Sequence, residues 1–294
     1  MIVAARIFVV GGLTSFRALF YWLTPWIYVP TMLVAPIFQI LLFAYIGRSA
    51  GLESDEFFLI GNALQYAAIP CLFAMAQMVG GERYQNTLSA ILVSPAPRIP
   101  LFLGRSLPVV LNGAFVSAFA LLVGALVLGV HLPTSSLAPL GLVVLIAAFS
   151  CTGLGLINAA LSLRIRENAV LSNVIFGFLL IFTGANVPLD ALPSWMSTAA
   201  QGLPFTHAIE AARQLAAGAS LADVRGLLGA ELLVGAIYGI AGYTLLRWFE
   251  VQSRRYATLE RSSQKPILNR QLTALNDARR QLAPALDAPQ IAVR

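Results

Sequence analysis

Ionic side chains are scarce in this chain: only 11% of its 294 residues are Asp, Glu, Lys or Arg. A soluble globular protein carries about 25% charged and ~45–50% apolar residues, so a water-facing surface cannot be covered here. The 58% apolar content and a mean hydropathy of +0.79 place the chain in a membrane instead. Histidine and cysteine are rarer still, with two of each. His131, His207, Cys71 and Cys151 are too few and too scattered for a clustered metal site. The cysteines form no CxxC motif or disulfide framework. A Ser–His dyad for intramembrane proteolysis would need a histidine near one interface, which leaves hydrolase chemistry poorly served. Lysine occurs once, as Lys265 between Gln264 and Pro266. A P-loop needs GxxxxGK[S/T], so that backbone amides and a Lys cradle phosphates. This chain has no such run, and any energy from ATP would enter through another subunit.

The apolar residues form six runs long enough to span a bilayer, at about 26–46, 57–79, 107–130, 137–163, 168–187 and 225–248. A hydrocarbon core of ~30 Å needs about 20 apolar residues per helical crossing. All six are expected to be helices, because an isolated strand leaves its backbone polar groups unpaired in lipid. With the N-terminus inside, only Arg48, Arg213 and Arg225 of the 19 Lys/Arg fall on the outer side. Lys/Arg asymmetry sets orientation, so the net charge of +6 reads as a topology signal and not as a nucleic-acid footprint. Both termini are expected in the cytoplasm. Trp22, Trp26, Trp195 and Trp248 fall near the expected interfaces, where amphipathic rings prefer to sit. Residues 1–24, apolar but punctuated by arginines, suit a helix lying in the inner interface. Met1–Ala5 lacks a basic n-region, and Arg6, Gly11, Gly12 and Arg17 interrupt the early apolar run, so no cleavable signal peptide is expected.

The polar loop 80–106 contains an amphipathic helix signal. Tyr84, Leu88, Ile91 and Leu92 recur at i, i+4, i+7 and i+8. Glu82 suits a helix N-terminus, and Pro95 disfavours helical geometry at Ser94. Such a helix either floats its stripe in the headgroups or docks a cytoplasmic partner. On the other side, Pro188, Pro193 and Pro204 cut 184–224 into pieces too short to cross a bilayer. These pieces are an ordinary extracellular loop or a re-entrant pair. Glu210 and Arg213, three apart, can pair on a helix. The tail after Gln252 carries eight Lys/Arg and three acids. Leu268, Leu272 and Leu275 can stripe a short helix there, but a solvated tail near anionic lipid is the simpler reading.

Two stretches carry a family resemblance. The run Gly81-Glu82-Arg83, Thr87-Leu88, Leu92, Ser94-Pro95 and Gly104-Arg105 resembles the coupling-helix region of type-2 ABC exporter permeases, in the branch of drug and nodulation-factor exporters. Gly184-Ala185-Asn186-Val187-Pro188, Leu192-Pro193-Ser194-Trp195 and Pro204-Phe205-Thr206 resemble the outer re-entrant helices of the same family. The resemblance implies an all-α integral membrane protein with six transmembrane helices, an N-terminal interfacial helix, a cytoplasmic coupling helix and short outer re-entrant helices. Its divisions here are 1–24, 25–248 for the six-span domain, and 249–294 for the basic tail. The family usually stops soon after its sixth span, so that tail is a departure.

The resemblance further implies an exporter subunit of a bacterial inner membrane with no catalytic or metal site of its own. It would work as a homodimer, embedded in lipid and joined to two copies of a separate ATPase that holds ATP and Mg. Glu82, Arg83, Tyr84, Thr87, Leu88, Ile91 and Leu92 would contact the ATPase. Pro188, Leu192, Pro193, Trp195, Pro204, Phe205 and Glu210 would form the outer gate. Gln39, Asn62, Gln65, Asn173, Phe182 and Asn186 are candidates for the path of a small amphipathic cargo or drug, with a lipid-linked or acylated saccharide as the alternative. Asn and Gln inside spans more often bond neighbouring helices. A rival class, a stand-alone secondary transporter or channel, would make Glu231 essential as the ionisable residue within the spans. Structural pairing with Arg213 or Arg225 is the other role open to Glu231. Gly235-x-x-x-Gly239 and Gly155-x-x-x-Ala159 fit close helix packing, and Pro30, Pro36 and Pro70 are expected to bend the first two spans.

Overall fold

The computed structural model describes residues 6, 8–14, 24–84, 98–165 and 167–256. By its contacts the chain divides into two units, Met1–Trp248 and Phe249–Arg294. Among the described residues every regular element is a helix. In chain order these are α1 (Pro25–Tyr28), a π-helical turn (Val29–Val34), α2 (Ala35–Ala50), α3 (Asp55–Gln65), α4 (Ala68–Tyr84), α5 (Arg98–Leu128), α6 (Leu137–Leu161), α7 (Asn168–Phe182), α8 (Ser194–Ala200), α9 (Thr206–Ala216) and α10 (Arg225–Tyr256).

Among the described residues, five stretches are long and apolar enough to cross a membrane: Pro25–Ala50, Asp55–Gln77, Leu103–Leu128, Thr134–Leu161 and Arg225–Phe249. The chain is therefore a multi-pass helical membrane protein. The apolar run expected at 168–187 forms a shorter helix, α7, of 15 residues. At 1.5 Å per residue it covers only about 22 Å. It stops at Thr183 because Gly184 turns left-handed at φ 79°.

The prolines act locally, each by withholding a donor. In the π turn, the Ala35 N–H reaches the Pro30 carbonyl, five residues back. The next residue, Pro36, has no N–H to continue that register, so the Thr31 carbonyl is left over. Tyr66 Oη donates to it at 3.1 Å. Pro70 likewise deprives the Tyr66 carbonyl of its usual donor, and Ile69 N–H takes it at 3.1 Å. The second crossing is thus broken between α3 and α4. The break and the π turn meet where Met32, Tyr66 and Val116 pack together.

The α3–α4 crossing is the centre of the bundle, with 83% of its apolar window buried, against 22% for the first crossing and 28% for the last. Glycines let its neighbours approach to backbone contact. A Cβ on Gly155 would lie 2.7 Å from the Cys71 carbonyl oxygen, and one on Gly153 would lie 2.5 Å from that of Gly235. Both small-residue motifs are thus used inside this chain, α6 against α4 and α6 against α10. A Cβ on Gly104 would lie 2.4 Å from the Phe8 carbonyl oxygen, so the helical stretch 8–14 rests on the start of α5.

One boundary differs from expectation. Glu82, Arg83 and Tyr84 do not open a new helix; they continue α4 as its last described residues. No proline interrupts 71–84, and the hydrogen-bond ladder of the crossing runs on through Gly80-Gly81. Thr87, Leu88, Ile91 and Leu92 lie outside the described residues.

Candidate functional site

The segment between α7 and α10 is built from three proline-led pieces. Pro188 leads the 3-10 turn Leu189–Ala191, Pro193 leads α8, and Pro204 precedes the elbow into α9. The Pro193 carbonyl accepts from the N–H groups of Met196 and Ser197. Leu192 is extended between the first two pieces. Trp195 on α8 is two-thirds exposed. Phe205 is fully buried yet left-handed, at φ 78°. That conformation is an outlier for a bulky residue, and the surroundings hold it. Thr206 Oγ1 donates to the Ala200 carbonyl at 2.7 Å, and His207 Nε2 lies 3.0 Å from the Gln201 carbonyl oxygen. Most decisively, a carboxylate from α10 accepts from the elbow. Glu231 Oε1 takes Phe205 N–H at 2.8 Å and Oε2 takes Ala208 N–H at 3.2 Å. Glu231 therefore replaces the missing N-cap side chain of α9 and satisfies donors that every helix start leaves free.

Arg213 secures the other end of α9. Its Nη2 donates to the carbonyls of Phe57 (3.1 Å), Gly184 (2.9 Å) and Ala185 (3.3 Å). Its guanidinium carbon sits 3.5 Å from the centre of the Phe57 ring, a cation–π contact. Burial pulls Arg213 down to about 10, opposed by Glu210 and Glu53, so it remains charged at neutral pH. Ser136 Oγ donates to the Leu215 carbonyl at 2.7 Å and caps the end of α9. The expected Glu210–Arg213 pairing gives way to these contacts, and Glu210 instead accepts from Gln214 Nε2 at 2.9 Å. Burial explains the choice: Glu210 sits on an exposed position, whereas the half-buried Arg213 reaches the carbonyls of Phe57, Gly184 and Ala185. Glu231 likewise meets backbone amides where Arg213 or Arg225 was considered.

A second constellation lies beside this one. Gln39 Nε2 donates to Asn62 Oδ1 at 3.0 Å, and Asn62 Nδ2 donates to Asn186 Oδ1 at 2.8 Å and to the Phe58 carbonyl at 2.9 Å. Asn186 Nδ2 continues to the Leu180 carbonyl at 3.3 Å. The chain of amides links α2, α3 and the turn after α7. Its access is tight, because a Cβ on Gly61 would lie 2.3 Å from the Ala185 carbonyl oxygen. Gln65, one helical turn beyond Asn62, is fully buried and neither polar atom of its amide has a partner among the described residues. Asn173 is not part of this network; it is exposed on α7. Phe182 is half-buried and its ring lies 5.8 Å from that of Phe178. The other intramembrane amides join helices: Asn158 Nδ2 reaches Ser172 Oγ at 2.7 Å, and Tyr28 Oη reaches Asn112 Oδ1 at 2.7 Å. Among the described residues no cluster of three or more His, Cys, Asp or Glu is suited to a metal ion.

Sequence reasoning named most of this segment but missed Phe57, Gly61 and the partners of Glu231. The available signal was that Glu231 and Arg213 are charges in otherwise apolar surroundings, which must be satisfied from within.

These features define a polytopic helical protein whose last crossing is preceded by a braced pair of short helices. Residues 11–216 match the ABC-2 type transporter family, and the chain belongs to that family. It is similar to the probable multidrug ABC transporter permease YbhR of Escherichia coli K12, at 26% identity over 196 residues. That match covers 62% of this chain and 52% of the relative, and the O157:H7 counterpart matches equally. The chain thus spans about half the length of the curated relatives it matches.

Proposed function

We propose that this chain is the membrane-spanning permease subunit of an ATP-driven exporter that moves a small amphipathic compound out of the cytoplasm or the inner leaflet. The observation that carries the reading is the helix pair α8–α9, clamped by Glu231 and Arg213 beside a polar amide network, in a chain of the ABC-2 type transporter family. The resemblance at the cytoplasmic loop adds to it, as does the printed name of the relative, a multidrug permease. A sequence without a P-loop lysine would take its energy from a separate ATPase, present in two copies with ATP and Mg bound there. Two copies of this chain would form the conduit. No nucleic acid is involved.

In this reading the protein sits in a bacterial inner membrane, with both termini cytoplasmic and residues 184–224 outside. The segment 168–187 serves as the fifth of six crossings. Its helix α7 is short, but the irregular backbone that follows is satisfied by protein, since Arg213 takes the carbonyls of Gly184 and Ala185. Non-helical backbone at membrane depth is tolerated only under that condition. Residues 82–92 receive the ATPase, and Pro188, Leu192, Pro193, Trp195, Pro204, Phe205 and Glu210 form the outer gate. Gln39, Asn62, Gln65, Asn186, Phe182 and Asn173 are the polar and aromatic groups offered to cargo. Against a stand-alone proton-coupled carrier stands the occupation of both Glu231 oxygens by backbone amides.

The test is co-purification of this chain with a soluble protein that carries GxxxxGK[S/T], followed by transport. Leu88→Asp and Glu82→Arg should each abolish association or uncouple ATP hydrolysis from transport. Unchanged binding and transport in both variants would remove the coupling assignment.

A further inference from the structure

Glu231 is the only acid in the described part of α10 up to Trp248, and its carboxylate is fully buried. Both oxygens accept from backbone amides of the first turn of α9, with the Ser150 hydroxyl of α6 and the His207 ring beside the carboxylate. Its own position is fixed by the packing of α10 on α6. One turn further along α10, a Cβ on Gly235 would lie 2.7 Å from the Cα of Ser150, and one on Gly242 would lie 2.8 Å from the Ile157 amide nitrogen. These contacts seat α10 on α6 by backbone, leaving little freedom in where Glu231 points. At the opposite end of α9, Arg213 holds the first turn of α3 through the Phe57 carbonyl and the 184–185 turn through two more. The α9 helix is therefore fastened at each end by a charge that bonds to backbone, Glu231 fully buried and Arg213 half-buried. Backbone partners cannot swing away as side chains do, so neither attachment can slip without the backbone itself moving. The left-handed Phe205 supports the same view. Its conformation is one that bulky residues avoid, and the N–H it presents in that conformation is the one Glu231 takes.

We propose that Glu231 is a positioning residue that fastens the N-terminal end of α9 to α10, making α9 a strut that carries displacement of α10 to the α3 start and the 184–185 turn. The fastening stands on the contacts alone, whereas its use in opening the outer side rests on the permease reading. The proposal asks for a carboxylate and not merely a polar side chain. A glutamine in its place offers one acceptor oxygen and turns an NH2 group toward the second amide, donor against donor.

The experiment compares wild type, E231Q and E231A, purified in lipid nanodiscs, by hydrogen–deuterium exchange of peptides covering 203–209. A Gln201→Cys reporter in each is labelled with a membrane-impermeant maleimide. Gln201 is exposed at the end of α8, and the native Cys71 and Cys151 are fully buried. The expected result is at least tenfold faster exchange at Phe205 and Ala208 in E231Q and E231A, with α6 peptides as protected as in wild type. Reporter labelling should rise to match. With the ATPase present, nucleotide should change reporter labelling in wild type and no longer do so in E231Q. Equal exchange at 203–209 in all three proteins would overturn the fastening. An acceleration spread evenly over α6 and α9 in the near-isosteric E231Q would also overturn it. A nucleotide response in E231Q equal to wild type would overturn the strut. If no ATPase associates, the permease reading falls, and the exchange result alone decides for or against the fastening.

Discussion

Asn62 and Asn186 are 124 positions apart and meet at 2.8 Å, amide to amide. Their contact closes the turn after α7 onto the centre of the bundle, because Asn62 also receives Gln39 and donates to the Phe58 carbonyl. Removing Asn62 leaves the half-buried amides of Gln39 and Asn186 short of a partner, where a fully buried unsatisfied group would cost about 1–3 kcal/mol. Asn62→Ala should lower stability by ~1–2 kcal/mol, toward the low end because amide bonds inside membranes average nearer ~0.6 kcal/mol. A double-mutant cycle with Asn186→Ala, read by thermal unfolding in detergent, should give a coupling energy well above zero. Additive losses would contradict the contact.

Close approach at Gly61 predicts a steric result. A Cβ there would lie 2.8 Å from the Ala185 Cα as well as 2.3 Å from its carbonyl oxygen, so backbone must move. Gly61→Ala should destabilise by about 1–3 kcal/mol, the usual range for overpacking. Gly141→Ala, where nothing lies within 4 Å, should be neutral or stabilising.

Tyr66 and Pro36 predict a compensation. Tyr66→Phe abandons the Thr31 carbonyl, at a cost of roughly 1–2 kcal/mol. Pro36→Ala restores an N–H to the π turn, so the double variant should recover part of that loss. A double variant less stable than Tyr66→Phe alone would refute the account of the leftover carbonyl.

Arg213 is predicted to tolerate no substitution well. Arg213→Ala removes a donor shared by three carbonyls, and Arg213→Lys cannot present the same fork. Losses of about 2–4 kcal/mol are expected by unfolding, with the alanine variant worse. Burial lowers this group to about 10, so the folded chain holds the proton less tightly than the unfolded one, whose ordinary value is higher. The unfolded chain therefore carries more protons above pH ~10, and stability from this group should rise there and stay flat from pH 6 to 9.

The helical crossings were legible because apolar runs of sufficient length admit little else in lipid, and Pro188, Pro193 and Pro204 marked the three pieces between α7 and α10. Asn62 and Asn186 were recognisable as polar groups needing partners, though not as partners of each other. Three features were not legible in their detail from local sequence. The π turn arises from two prolines six apart, with Tyr66 supplying the missing donor from another helix. The α4 helix runs through Gly80-Gly81, where propensity alone argues for a stop. Glu231 and Arg213 bond to backbone groups, and a backbone amide or carbonyl carries no residue-type signature. Charge pairing was the natural expectation for both, and desolvated backbone at Phe205, Ala208, Gly184 and Ala185 proved the stronger claimant.

The central claim is that this chain conducts an amphipathic compound only when a separate ATPase drives it. The direct measurement is ATP-dependent movement of a fluorescent amphipathic dye across proteoliposomes that hold this chain with and without the co-purified ATPase. Transport requiring both proteins and hydrolysable ATP, lost in Leu88→Asp, is the predicted result. Dye movement by this chain alone, driven by a proton gradient and indifferent to ATP, would contradict it.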